Sequence, residues 1–320
     1  MSKNLKKEAD KNWKRLEKSW HPKIKLWDGT TVHASLDTLL MQDIALKLKV
    51  MGFDAEHKAW WSFEDLHNDK LAFVTHTRRL GSINPYSVSQ RDAEKWQIDM
   101  YSGKLPHNVA MSVAAHGHTT RGSIDDDPFR IVNVPCWCTF LEYPKANANF
   151  AHYQTDIGAY FIIVTKEGRI RVQKWLYKPF VYDHNEKKIY EAGDIDSKKY
   201  VEEGNGHVDI EEYFKVMCKD AKFLVAVVAD FHVGEVAAIA PEKYTYNGQE
   251  FEVHQTLASQ RLLQYWRNFA KVCKLLKPNE IWVVGDTCCG TQIFEKTRRS
   301  ISQNLEEQKA MFVELFKELL

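Results

Sequence analysis

The sequence predicts an α/β protein. Two observations carry that reading. Several short apolar runs of strand length each stop at a histidine or an aspartate. A longer stretch with helical spacing separates two of those runs, where a crossover helix would join parallel strands. The first run, Leu224-Val225-Ala226-Val227-Val228-Ala229, breaks into Asp230-Phe231-His232-Val233-Gly234. The second, Ile281-Trp282-Val283-Val284, breaks into Gly285-Asp286-Thr287-Cys288-Cys289-Gly290. A third, Leu71-Ala72-Phe73-Val74-Thr75, ends in His76, and a fourth, 108–115, ends in His116-Gly117-His118. Ligands of open α/β sheets bind beyond the carboxyl ends of the strands. These run ends are therefore the first candidates for chemistry.

Taken in order, residues 1–20 are rich in lysine and glutamate, with Leu5, Trp13, Leu16 and Trp20 as apolar positions. They predict a helical extension or docking segment. His21-Pro22 ends it, and 23–27 alternates like a short strand. That strand breaks into Asp28-Gly29-Thr30-Thr31-Val32-His33, and a helix fits 36–51 with Gly52 as its stop. After His76 comes a polar loop through Arg78, Arg79 and Pro85, and 92–101 reads as helical. Short strands at 129–134, 160–165 and 170–177 predict a second, mostly antiparallel sheet. The charged stretch 181–220 reads as a connector with a helix at 209–218. Leu262, Leu263, Trp266, Phe269 and Val272 give 257–276 its helical spacing, and 304–319 forms a last helix.

Composition bounds the function classes. At 320 residues with 44% hydrophobic content, the chain suits one large domain or two small ones. A net charge of +1 excludes a broad electrostatic footprint for nucleic acid, but not a phosphate held by metal ions. Cys136, Cys138, Cys218, Cys273, Cys288 and Cys289 form no C-x-x-C pair, so they predict reduced thiols in a cytoplasmic protein. With no run of about 18 apolar residues and no apolar signal region, a soluble chain with no membrane partner is expected.

Imidazole and carboxylate together suit Zn, Mn, Fe or Ni better than Ca. One bridging carboxylate with several histidines is what a two-metal hydrolytic site needs, its ions about 3.5–4 Å apart. The residues also resemble the calcineurin-like metallophosphoesterases. Asp230-Phe231-His232 is similar to that family's Asp-x-His, and Gly285-Asp286 to its Gly-Asp. His76 matches its strand-end histidine, and Ala115-His116-Gly117-His118 its Gly-His-x-His, with Ala115 in place of the leading glycine. The stretch from Asp230 onward, with its Trp-bearing helix and Gly-Asp-x-x-x-Gly loop, resembles phage-type members.

The order differs from the family's: its first two motifs lie in the last third of this chain. A circular permutation accounts for that. Residues 221–320 would be the usual first half, 21–180 the usual second half and 181–220 the join; a surface connection tolerates such a cut. The resemblance implies a four-layer α/β/β/α sandwich and a dinuclear phosphoesterase acting on phosphodiesters of nucleotides or nucleic acid. It implies two divalent ions, from Mn, Ni, Zn or Fe, with Mg less suited. One would be held by Asp230, His232, Asp286 and His118; the other by Asp286, His76, His116 and Thr30. Thr30 stands where the family has an asparagine, and His33, displaced by two residues, is the candidate general acid.

Arg78, Arg79 and Arg121 are placed to reach a phosphate, or else are solvated loop residues. Trp137 could stack a base or belong to the core. The Asp125-Asp126-Asp127 triplet reads as a solvated turn. A second reading, from a different class, is a non-catalytic metal-binding or interaction module on the same fold, favoured by the altered Gly29-Thr30 region. Oligomeric state is not legible in the sequence.

Overall fold

The apolar runs fold as strands of two sheets. The computed structural model describes residues 20–29, 39–76, 85–120, 123–124, 129–139, 155–183, 187–191, 216, 218–290 and 300–320. The first part holds β1 (Lys23–Trp27), α1 (Leu40–Val50), β2 (Asp54–Lys58), β3 (Trp61–Asp65) and β4 (Leu71–Thr75). It continues with α2 (Pro85–Tyr101), β5 (Val109–Ala114) and β6 (Arg130–Asn133). The middle holds β7 (Ile157–Thr165), β8 (Ile170–Tyr177), β9 (Phe180–Asp183) and β10 (Lys188–Glu191). The last part holds β11 (Ala221–Ala229), β12 (Lys243–Tyr246), β13 (Gln249–Glu252), α3 (Leu257–Leu276), β14 (Glu280–Val284) and α4 (Leu305–Phe316).

The fold is mixed α/β. One sheet has six strands in the order β2-β1-β14-β11-β7-β8, and another has four in the order β3-β4-β5-β6. β14 lies between β1 and β11 and runs parallel to both, with Ile281 in register with Ile24 on one side and Ala226 on the other. Strands from 21–180 and from 221–320 thus share one sheet. Among the described residues no helix is long and apolar enough to cross a membrane.

β11 shows why its run is apolar without alternation. Val225, Val227 and Ala229 share a core with Val74, Met111 and Val113 of the four-stranded sheet. Leu224, Ala226 and Val228 share another with residues of α1, α3 and α4. Successive side chains of a strand leave opposite faces, so a strand covered on both sides needs apolar residues throughout. The far face of the four-stranded sheet packs Phe73, Val109 and Ile131 under Trp96 of α2. α3 starts at Thr256, whose hydroxyl accepts from the Ser259 N–H, and buries Leu262, Trp266, Phe269 and Cys273. Between the sheets, buried Lys25 pairs with Glu64 of β3 at 2.8 Å and Glu280 of β14 at 2.7 Å.

The structure corrects part of the sequence reading. Residues 129–178 do not make a sheet of their own. β6 runs parallel to β5 in the four-stranded sheet, while the β7–β8 hairpin extends the six-stranded one through β11. β7 is buried at every position, so it needs cover on both faces and joins the interior of the larger sheet. The stretch 181–220 carries the β9–β10 hairpin, while the 209–218 helix lies largely outside the described residues. α2 begins at Pro85 rather than near 92, with proline at the first helical position. Periodicity misses β2 and β3, whose residues are mostly polar or half-exposed. The β12–β13 hairpin turns at Asn247-Gly248, both at positive φ, a signal that the sequence does contain. The extension 1–20 lies outside the described residues except for Trp20, whose indole donates to the Pro278 carbonyl at 2.9 Å.

Candidate metal centre

His76 follows β4, His116 and His118 follow β5, Asp230 and His232 follow β11, and Asp286 follows β14. β4 and β5 are parallel, as are β11 and β14. Hydrogen bonds between the loops hold these strand ends together. The His232 N–H donates to the Asp286 carbonyl at 3.0 Å, and the Val233 N–H to the Thr287 carbonyl at 2.9 Å. Buried Asp156 fixes the loop after β5: its N–H donates to the His118 carbonyl at 2.9 Å. One oxygen of its carboxylate accepts from the Thr120 N–H at 2.6 Å and from the hydroxyls of Thr119 at 3.0 Å and Thr120 at 2.8 Å.

Asp230 is the hub, with no exposed surface. Its Oδ1 accepts from the Asp286 N–H at 3.2 Å and lies 3.1 Å from His76 Nε2. Its Oδ2 accepts from the His116 N–H at 2.8 Å and lies 3.6 Å from His118 Nε2. One carboxylate therefore ties the ends of β4, β5, β11 and β14. His76 Nε2 also lies 3.6 Å from Asp286 Oδ2, and His118 Nε2 lies 3.2 Å from His232 Nε2.

Burial pushes the Asp230 carboxyl up, but the His76 hydrogen bond and the charges of His76, His118 and His232 outweigh it and hold it far below the usual carboxylate range. Burial pulls the His76 ring down; its bond to Asp230 and the two nearby carboxylates win and raise it. His116 goes the other way, lowered first by burial and then by His76.

The backbone is shaped to this convergence. His116, His118, Asp230 and His232 have φ of +72°, +50°, +49° and +48°. Such conformations are uncommon outside glycine and cluster at functional sites. Gly285 has φ of +101°, and a Cβ there would stand 2.1 Å from His76 Cδ2 and 2.5 Å from Asp230 Oδ1. Only glycine lets β14 end this close to both. A Cβ on Gly29 would likewise meet Asp286 Oδ1 at 2.1 Å, so the end of β1 also abuts the site.

These groups could hold a metal ion. Three sets have donor atoms within 4.8 Å of one another: Asp230, His232 and Asp286; His76, His116 and Asp286; His118, Cys138 and His232. Asp286 belongs to two of them. Ligands bound at 2.0–2.1 Å stand roughly 3.0–3.4 Å apart around one ion. The 3.2 Å separation of His118 Nε2 from His232 Nε2 falls in that range. The donor chemistry fits a divalent transition metal.

The structure thus brings together six of the sequence-predicted site residues: Asp230, His232, Asp286, His76, His116 and His118. Thr30, His33, Arg78, Arg79, Arg121 and the Asp125 triplet lie outside the described residues. Trp137 is core: it is fully buried among Phe231, Trp266 and Phe269. Cys288 is buried too, and burial pushes its thiol up to about 12. Sequence reasoning misses Cys138, whose Sγ lies 3.7 Å from His118 Nδ1. The signal was present, because Cys138 also follows a strand end, that of β6. It misses Asp156 as well, since no pattern in the sequence links that residue to the loop it holds. The chain matches no protein-family model, no curated protein and no solved structure.

Proposed function

We propose that the chain is a metal-dependent phosphoesterase that hydrolyses phosphodiesters of nucleotides or nucleic acid in the cytoplasm. Its fold would be the four-layer α/β/β/α sandwich of the calcineurin-like metallophosphoesterases, with the halves in permuted order. The succession of cores, from the α1, α3 and α4 side through both sheets to α2, supports that architecture. The observation that carries the function is the convergence of four histidines and two aspartates, with Asp286 shared by two candidate ligand sets.

In this reading Asp230, His232, Asp286 and His118 hold one divalent ion. Asp286, His76, His116 and Thr30 would hold a second, Asp286 serving both. When bound, such a pair supplies Lewis acidity and lowers the pKa of water toward neutrality. The chain's own groups do the positioning. Asp230, kept ionised by its histidine neighbours, fixes the rings of His76 and His118. His116, exposed where the other ligands are largely buried, marks the side from which the phosphate ester enters. Arg78, Arg79 and Arg121 bind the phosphate oxygens, and His33 gives its proton to the leaving oxygen.

Metal analysis of the purified chain, run beside hydrolysis of bis-p-nitrophenyl phosphate with Mn, Ni, Zn or Mg, tests the proposal. Two ions per chain and diester turnover that disappears in Asp286→Asn are expected. Metal binding without turnover would favour the non-catalytic module, and neither metal nor turnover would overturn the site.

A further inference from the structure

A second site lies on the far face of the four-stranded sheet. A cavity of about 450 Å³ opens between that face and one side of α2, within the roughly 300–1,000 Å³ typical of small-ligand pockets. Its floor is a row of cross-strand neighbours, Phe63, Phe73, Ser112 and Ile131, on the outward faces of β3 to β6. Ser112 is the only polar residue in that row. It is 6% exposed and lines the cavity, and its hydroxyl has no hydrogen-bond partner among the described residues. Its hydroxyl can both donate to and accept from an occupant of the cavity.

The walls narrow the class of occupant. Trp61, 57% exposed, stands opposite Thr75 across the β3–β4 ladder and packs on Phe73 with ring centroids 5.9 Å apart. Trp96 closes on Phe73 from α2 at 4.5 Å. A helix normally turns an apolar stripe to its sheet. α2 does so with Ala93, Trp96 and Met100, and beside that stripe the half-buried Asp92 and Asp99 line the cavity together with Lys95. Aromatic faces favour a flat ring. The carboxylates accept hydrogen bonds and Lys95 donates them, so together they favour a ring that carries both N–H groups and acceptor atoms.

We propose that this cavity binds a nucleobase bearing an exocyclic amino group, stacked on its aromatic walls, with the amine toward the Asp92 and Asp99 carboxylates and a ring heteroatom on Ser112 Oγ. Thr75, which lines the cavity, is the residue before His76 on the chain, while none of the candidate metal ligands lines the cavity. Assigning the base to the substrate rests on the phosphoesterase reading; the pocket itself does not.

Calorimetric titration of the full chain, stripped of metal by chelator, separates the two. Adenosine should bind saturably, and uridine, which lacks the amine, about tenfold or more weaker. Ser112→Ala, Trp61→Ala and Asp99→Asn should each weaken adenosine substantially, while Tyr101→Ala, exposed on α2 and outside the cavity, should not. Absence of adenosine binding, or equal binding of adenosine and uridine, overturns the pocket and leaves the metal centre untouched. In metal-loaded protein, inhibition of diester turnover by adenosine assigns the base to the substrate. Adenosine binding without inhibition overturns that assignment and keeps the pocket as a separate base site.

Discussion

Asp230→Asn tests whether one buried carboxylate organises the site before any metal arrives. The carboxylate accepts backbone N–H groups on both oxygens, from Asp286 on Oδ1 and from His116 on Oδ2. An asparagine offers one oxygen and one NH₂, so one of those N–H groups must face a donor. A buried donor left unmet costs about 1–3 kcal/mol, and losing a hydrogen bond to a charged group about 1.5–3 kcal/mol more. Relief of the carboxylate's desolvation returns part of that, so a net loss of about 2–4 kcal/mol is expected. Urea denaturation of chelator-treated protein measures it free of metal linkage. The comparison is His116→Asn, which removes a candidate ligand whose side chain is exposed and keeps a residue that tolerates positive φ. That variant should stay within about 0.5 kcal/mol of wild type while losing part of the bound metal. If Asp230→Asn costs under about 1 kcal/mol, or no more than His116→Asn, the hub argument is wrong.

Gly285→Ala should destabilise by at least about 2 kcal/mol and lower metal content, because its methyl would collide with His76 and Asp230 at a positive φ; urea melts and metal analysis read both. Lys25→Met should cost at most about 3–5 kcal/mol, because buried Glu64 and part-buried Glu280 lose their shared cation while Glu64 keeps Lys58 at 3.4 Å. Combining Lys25→Met with Glu64→Gln and Glu280→Gln should recover much of that loss in the same denaturation assay. Metal-free stability should also report on the two oppositely shifted histidines. His76, raised in the fold, contributes stability that is full below the unfolded value of about 6.5 and lost as pH rises through its folded pKa. His116, lowered, contributes a loss that grows as pH falls below that same value. Their joint contribution therefore peaks near pH 6.5, and urea melts of wild type and the doubly substituted His76→Gln, His116→Asn chain should differ most there. A monotonic difference across about pH 5 to 8 would contradict these shifts.

The strand ends were legible because metal-site chemistry and buried-strand chemistry are both written locally. Val225 to Ala229 must be apolar when both sheet faces are covered, and the first polar residues beyond, Asp230 and His232, are then conspicuous. Partnership among strands was not legible. Nothing in 157–165 says that β7 runs antiparallel to β11 instead of founding a sheet, because pairing is decided by which faces are left to bury. Polar strands escaped for a related reason. In β2 only Ala55 is buried, so no alternation marks it. Cys138 also follows a strand, but a cysteine there is as readily a small buried apolar residue as a ligand, so its position alone carries less than that of a histidine.

The strain at the strand ends bears on how the site is kept. Four of its candidate ligands sit at positive φ, and none of them is glycine. Each such residue costs of order 1–3 kcal/mol and persists only where surrounding contacts over-determine it. Those contacts are visible. Asp230 accepts from the backbone of His116, Asp156 binds the backbone of His118 and the threonines after it, and the Asp286 carbonyl holds the His232 N–H. The sheets beneath are anchored by cores that extend well beyond the site. The positions of these candidate ligands are thus tied to backbone hydrogen bonds and to the two cores. A metal bound there would add stability through linkage, so chelator is expected to lower stability without unfolding the chain, unlike small zinc domains that unfold without their metal.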